Sequence, residues 1–349
     1  VIRDFYLKYS LLALTKSPLC SIFKLLLKLR IATMKKPAMM LSSFAMCFIS
    51  FHSAAEAVDV YGRAHLGIAN SDTGNGSETS IESYNSRMGI KGSGDISDGL
   101  KAVYKFEFAV NAADQDSDGK TEENITARNQ YVGLQGSYGQ IVIGRHDTAL
   151  KVAQGKVDLM NDFNGDIKAL FNGENRLGDV LHYNSPIVGN MQFVVTYIAE
   201  DNSKQNDETG ISAAITYGDS KLKKAPYFVS VAHDSKVAGY DTTRFTAQGK
   251  LGELTLGGMY QQSEKVSGSN KEDGFLVSAS YKIDKYKLLA QYQDSDGDFG
   301  KLKDSGSGTS VGVERSLSKQ ARMYMWYTQF SLDNNSDEDH LAVTLRYDF

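Results

Sequence analysis

Leu341-Ala342-Val343-Thr344-Leu345-Arg346-Tyr347-Asp348-Phe349 alternates without a break. Leu341, Val343, Leu345, Tyr347 and Phe349 share one parity, and Ala342, Thr344, Arg346 and Asp348 the other. A repeat of two sends successive side chains to opposite faces of a strand, so this strand has one apolar and one wet face. The pattern recurs upstream. Leu254, Leu256, Gly258 and Tyr260 oppose Glu253, Thr255, Gly257 and Gln261, and Phe275, Val277, Ala279, Tyr281 and Ile283 oppose Ser278, Ser280 and Lys282. Tyr286, Leu288, Ala290 and Tyr292 likewise oppose Lys287, Gln291 and Gln293.

Sixteen such segments are predicted, near residues 58–69, 84–93, 100–110, 125–136, 140–147, 180–187, 191–200, 210–218, 225–234, 241–251, 253–263, 273–283, 286–295, 308–316, 321–331 and 339–349. Short connections (Ser137-Tyr138-Gly139, Val188-Gly189-Asn190, Gly252, Asp284-Lys285) alternate with long ones rich in Asp, Asn, Gly and Ser, such as 114–119 and 333–338. No stretch after Ala57 has 18 successive apolar residues. An even number of alternating strands of about ten residues, with short turns on one side and long loops on the other, predicts an all-β fold: a transmembrane antiparallel β-barrel. Sixteen strands leave an aqueous lumen, where eight would be filled by side chains. Aromatics near strand ends (Tyr61, Tyr104, Tyr131, Tyr183, Tyr197, Tyr217, Tyr281, Trp326, Tyr347) are expected to form interfacial girdles. A soluble sandwich also alternates, but its strands are shorter and its connections lack this rhythm.

Composition agrees. Of 349 residues 32 are Gly and four Pro, and both cysteines, Cys20 and Cys47, precede Val58. The body therefore has no disulfide, and only Pro186 and Pro226 interrupt its ladders. Residues 1–57 hold eight Lys/Arg and two acids, leaving 30 and 40 of the chain's 38 and 42 for the rest, a net −10. An acidic body argues against nucleic-acid binding.

The N-terminal segment reads as an address. Met34-Lys35-Lys36 is a positive n-region, Ala38 to Phe51 an apolar h-region, and Ala55-Glu56-Ala57 a small-x-small cleavage site. The apolar run, about 14 residues, is shorter than the roughly 20 of a spanning helix. The expected organisation is an upstream extension over 1–33 from a start placed too early, a cleaved signal peptide over 34–57, and a barrel over 58–349.

The chain from Val58 to Phe349 resembles the general porins of the Gram-negative outer membrane, trimeric 16-stranded non-specific channels. The residues that carry the likeness are Val58-Asp59-Val60-Tyr61-Gly62-Arg63, Ser86-Arg87-Met88-Gly89-Ile90-Lys91-Gly92, Ala127-Arg128-Asn129-Gln130-Tyr131-Val132-Gly133-Leu134, Ile143-Gly144-Arg145 and Leu345-Arg346-Tyr347-Asp348-Phe349. The resemblance implies a passive channel for small hydrophilic solutes, with no cofactor and no catalysis. It also implies a homotrimer in outer-membrane lipid and lipopolysaccharide, and Tyr347 and Phe349 as a signal to the barrel assembly machinery.

About 30 residues, roughly 148–179, separate the fifth and sixth strands, too many for an idle loop. In the family this loop folds inward and narrows the pore. Asn161-Asp162-Phe163-Asn164-Gly165-Asp166 looks like its acidic tip, where Pro-Glu-Phe-Gly-Gly-Asp is usual. By resemblance Asp158, Asp162 and Asp166 form the acidic side of the constriction, and Arg63, Arg87, Arg128 and Arg176 the basic wall. Parity puts Arg87 and Arg128 toward the lumen, opposite lipid-facing Met88, Ile90 and Tyr131. Arg145 is expected to brace the loop or a subunit contact. Opposed charges across a wet gap orient dipolar solutes while loop width sets a size limit.

Other motifs carry less. Asp114-x-Asp116-x-Asp118-Gly119 opens like an EF-hand loop, but the twelfth position is Ile125. His65, His146, His182, His233 and His340 have no metal or nucleophile context, so no metal site is assigned. A substrate-specific channel and an outer-membrane hydrolase are the alternative functions.

Overall fold

The computed structural model describes residues 58–113, 124–205, 207–268 and 271–349. The extension over 1–33, the signal peptide over 34–57 and the EF-hand-like residues 114–119 lie outside them. The described body is one antiparallel sheet closed on itself. Its first quarter comprises β1 (Asp59–Asp72), β2 (Ser77–Ser83), β3 (Arg87–Ser97), β4 (Leu100–Val110) and β5 (Ile125–Gly136). Then come β6 (Gly139–Asp147), β7 (Arg176–Asn184), β8 (Met191–Ile198), β9 (Gly210–Gly218), β10 (Tyr227–Val237) and β11 (Tyr240–Leu251). The ring finishes with β12 (Leu254–Lys265), β13 (Lys271–Ile283), β14 (Tyr286–Ser295), β15 (Gly306–Ser316), β16 (Ala321–Leu332) and β17 (Glu338–Asp348).

These segments make a 16-strand barrel, because β2 and β3 share one position in the ring. β1 pairs with β2 from Leu66↔Ser83 to Asp72↔Ser77, and with β3 from Asp59↔Lys91 to Arg63↔Arg87. The break falls at Tyr84-Asn85-Ser86, where Asn85 has φ +57°. The Ser86 hydroxyl fills the gap, accepting from the His65 N–H at 2.9 Å and donating to its carbonyl at 3.0 Å. The stretch before Tyr84, expected as loop, is strand. β17 pairs with β1 from Arg63↔Asp348 to Asp72↔Asp339, and Gly62 and Phe349 exchange N–H···O bonds of 2.8 and 3.0 Å. Closure removes every sheet edge, which a hydrocarbon environment requires.

The decisive strand behaves as its parity demands. Leu341, Val343, Leu345, Tyr347 and Phe349 are exposed outward, while Ala342 and Thr344 are buried inward. Met88 and Ile90 are also on the outside. Three expected girdle aromatics point inward instead. The Tyr61 hydroxyl donates to Glu107 at 2.8 Å, and Trp326 is buried against Tyr84 and Phe163. Tyr131 changes face because a bulge between Phe106 and Phe108 shifts the register of β5, leaving Val132 and Leu134 outside and the Tyr131 ring 5.2 Å from His146.

The rhythm of connections also has two exceptions. β10 and β11 are joined at the loop end by a tight turn, Val237↔Tyr240, with Ala238 and Gly239 at positive φ. At the opposite end, where Asp59 and Asp348 lie, residues 219–226 form a longer turn between β9 and β10.

Candidate functional site

Residues 148–175 connect β6 to β7 and fold into the barrel. A short helix α1 (Ala149–Ala153) starts the segment, with the Thr148 side chain capping the Lys151 N–H. Its buried face, Ala149, Leu150 and Ala153, packs on inward residues Val194, Ala214 and Ala232 of β8, β9 and β10. The next part, Val157, Ile167, Ala169, Leu170 and Phe171, packs on Met259, Leu276 and Phe330 across the lumen. A loop that exchanges water for apolar wall at both ends is held as part of the core.

The tip is fixed by contacts of different kinds. The Phe163 ring sits 5.1 Å from Trp326, 5.4 Å from Tyr324, 5.6 Å from His65 and 5.8 Å from Tyr84. The Gly165 carbonyl accepts from Gln291 Nε2 at 2.9 Å and Gln293 Nε2 at 3.0 Å. A Cβ at Gly165 would collide with Ser310 Oγ and crowd Thr328 Oγ1, so this close approach favours glycine. Asn164 Nδ2 meets His340 Nδ1 at 2.9 Å.

Arg244 of β11 is the principal brace. Its buried guanidinium donates to Glu174 Oε1 (2.7 Å), the Asn172 carbonyl (3.1 Å) and Gln261 Oε1 (2.8 Å). The sequence placed Arg244 on no site, although its even parity within β11 marks a wet face. Arg145, expected as a brace, lies opposite Gln130 and forms no ion pair among the described residues; its Nε is buried without a hydrogen-bond partner there.

The three aspartates separate. Asp162 presents its carboxylate to Arg63 Nη1 at 2.8 Å, Arg346 Nη1 at 3.6 Å and Asn85 Nδ2 at 3.2 Å. Asp158 lies four residues before it, but its carboxylate turns into the loop and accepts the Met160 and Ile167 N–H groups at 2.8 and 3.1 Å. Burial and the nearby Asp166 carboxylate push the Asp158 pKa up, against the pull of those donors. Asp166 is buried too, capping the 3₁₀ turn Ile167–Ala169 and pairing with Lys168 at 2.9 Å. Burial raises its pKa, which Lys168 opposes.

The expected basic wall lies along β1, β3, β5 and β7. Arg63 reaches both Asp162 and Asp348, the latter at 3.0 Å. Arg128 donates to Glu107 Oε1 at 2.8 Å and to Asn85 at 3.2 Å. Arg176 begins β7, forms an ion pair with Asp147 at 3.0 Å and donates to Asn129 Oδ1 at 3.1 Å. Arg87 lines the lumen beside Arg63 and Arg128, and has no ion pair among the described residues. Arg346, on the wet face of the last strand, joins this wall, and its position beside Asp162 was not legible from sequence.

The tip divides the lumen. On the loop side a cavity of about 580 Å³ is bordered by Glu82, Asp162, Glu338, Lys168 and Lys301. On the turn side a cavity of about 660 Å³ is bordered by Arg63, Arg87 and Arg346 and by lysines 156, 221, 223, 250, 282 and 287, against Asp158, Asp162, Glu253 and Glu314. Two of those lysines sit on the 219–226 turn. The sequence shows this turn as Asp219-Ser220-Lys221-Leu222-Lys223-Lys224, which reads as a solvated charge run until the barrel places it.

Comparison with known proteins bears on the family and the fold. A family model described as Gram-negative porin matches residues 42–336. Porin-like protein L of Photobacterium profundum is 26% identical over 351 residues, covering 88% of this chain and 99% of that protein. Among solved structures, an anion-selective porin from Comamonas acidovorans superposes with a TM-score of 0.69 at 18% identity, over 84% of this chain and 100% of that one. The trimer form of in-vitro folded OmpT, an outer membrane protein of Vibrio cholerae, gives 0.62 at 16% identity, over 84% and 100%.

Proposed function

Because the chain belongs to the Gram-negative porin family and is a passive channel of the outer membrane, we propose that it filters solutes by size and charge where the Asp162 tip faces Arg63, Arg87 and Arg346. The observation that carries this is the 2.8 Å Arg63–Asp162 contact at a tip that divides two wet cavities. That ion pair, with the unpaired Arg87 beside it, sets a field at the edge of the remaining opening that aligns dipoles and favours whichever ion sign meets less repulsion. Here arginine outnumbers free carboxylate, so the predicted preference is for anions, as in the Comamonas channel's description.

Asp158 and Asp166 serve this filter indirectly, by setting the shape of the loop, while Arg128 and Arg176 continue the positive wall along β5 and β7. Movement is downhill and involves no catalysis. Three such barrels form the native assembly, a reading supported by the trimer form of the Vibrio protein. The 34–57 segment is removed on export, and the Tyr347–Phe349 end is read by the assembly machinery. Lipopolysaccharide and lipid cover the apolar outer face.

Planar-bilayer recording on the purified protein in a KCl gradient tests this. Steady conductance with a reversal potential favouring chloride is expected, and Asp162→Asn should increase that preference. Absent conductance would sink the channel reading, and an unchanged reversal potential in the variant would remove Asp162 from the filter.

A further inference from the structure

Gln248 of β11, buried on the inner wall, joins two segments distant in sequence. Its Oε1 accepts the Lys156 N–H of the constriction loop at 2.9 Å, and its Nε2 donates to the Ser220 carbonyl of the 219–226 turn at 2.9 Å. The turn is itself wound around Asp219, whose carboxylate accepts the N–H groups of Lys221, Lys223 and Lys224 at 2.8–2.9 Å. A rigid turn is thus fastened to the loop, and its Lys221 and Lys223 border the turn-side cavity.

The lysines there outnumber the carboxylates that face them. Lys156, Lys221, Lys223, Lys250, Lys282 and Lys287 form no ion pair among the described residues, unlike Arg63, Arg128 and Arg176 on the wall. The acids on the border are mostly engaged elsewhere. Asp158 turns into the loop, Asp162 holds Arg63, and Glu314 is shared between Arg322 at 3.4 Å and Lys287 opposite it on β14, so Glu253 and part of Glu314 face six lysines. Burial lowers the Lys156 pKa, and Arg87, Lys221 and Arg63 lower it further against the pull of Asp162, as expected where positive potential is unneutralised. The loop-side cavity has no such excess, with Glu82, Asp162 and Glu338 facing Lys168 and Lys301.

We propose that the cavity between the constriction loop and the 219–226 turn is a retention site for small multivalent anions, phosphate- or polycarboxylate-bearing, reached preferentially from the periplasmic side. The inference rests on the channel reading. Its six lysines come from the loop, the turn and three wall strands, so one anion with several charges meets ammonium groups from more than one direction. A monovalent ion meets them singly and passes. Concentrated charge of one sign in a low-dielectric cleft raises the local concentration of the opposite ion.

The test is current block by sodium tripolyphosphate in bilayers bathed in KCl, added first to one chamber and then to the other. Block is expected at a concentration at least tenfold lower from one side. Lys221→Glu with Lys223→Glu should raise that concentration at least tenfold. The reversal potential should also move toward cations. Lys91→Glu with Lys285→Glu, at the same end of the barrel but outside the cavity, should do neither. If the turn variant fails to fold, Lys250→Gln with Lys282→Gln on the wall must weaken the block instead. Equal block from both sides, or block indifferent to the cavity lysines, overturns the inference while conductance in KCl leaves the channel reading intact. No conductance in KCl sinks both.

Discussion

The arginine wall and the lysine cavity are both positive, yet they differ in what their charges face. Arg63, Arg128, Arg176 and Arg244 each hold a carboxylate within 3.0 Å, through planar forks that fix direction as well as distance. Lysines 156, 221, 223, 250, 282 and 287 hold none among the described residues. Paired charges specify where a loop or strand lies. Unpaired ones, Arg87 of the wall among them, are left to act on whatever enters.

The comparison breaks most readily at Arg244. Arg244→Met leaves the Glu174 carboxylate buried without its partner, a loss of about 3–5 kcal/mol for a broken buried pair. The constriction loop should loosen, seen as trypsin cleavage at Lys156 or Lys168 and as larger, noisier single-channel steps. Quiet steps of wild-type size would show that the brace lies elsewhere. A smaller effect is expected on the lysine side. Lys250→Gln removes one unpaired charge, so the chloride preference should fall while the unfolding midpoint stays within about 0.5 kcal/mol of the parent. A stability loss of several times that would mean this lysine is structural after all.

Raising the pH tests the acids inside the loop. Burial and Asp166 lift the Asp158 pKa above its unfolded value, so folding favours the protonated form. That contribution is present in full below the ordinary carboxylate range and is lost as pH rises through the elevated folded pKa. Thermal melts should therefore show the loop weakening from acid toward alkaline pH, and Asp158→Asn should flatten the slope. A slope of the opposite sign would mean that the carboxylate is ionised and paired. The smallest change is expected from Arg63→Lys, which keeps the charge but cannot reach Asp162 and Asp348 through one fork. The permeability ratio should change less than about twofold, while current noise rises.

The barrel was legible because lipid imposes a rule on every second residue, as Leu341 to Phe349 display. The loop was legible from its length and its Asp162-Phe163 tip. Facing was misread where the count of two slips. The β5 bulge carries Tyr131 inward, and in β16 the bulk on both faces hid Trp326, which packs on Phe163 rather than lying at an interface. The lysine cavity was not legible, because a polar turn looks the same whether it dangles in water or is tied by Gln248 beneath a loop. The three aspartates looked alike in sequence, and only the folded loop shows which carboxylate remains free to face the wall.

The seam between β1 and β17 joins residues as far apart as Arg63 and Asp348. Every other neighbouring pair of strands in the ring can meet before that seam does, so the cylinder has two raw margins until its last stretch has docked. Pairing across so long a stretch of chain is intrinsically slow, so a lesion at Gly62 or Phe349 should act on how often a complete ring is made rather than on how well a finished one conducts.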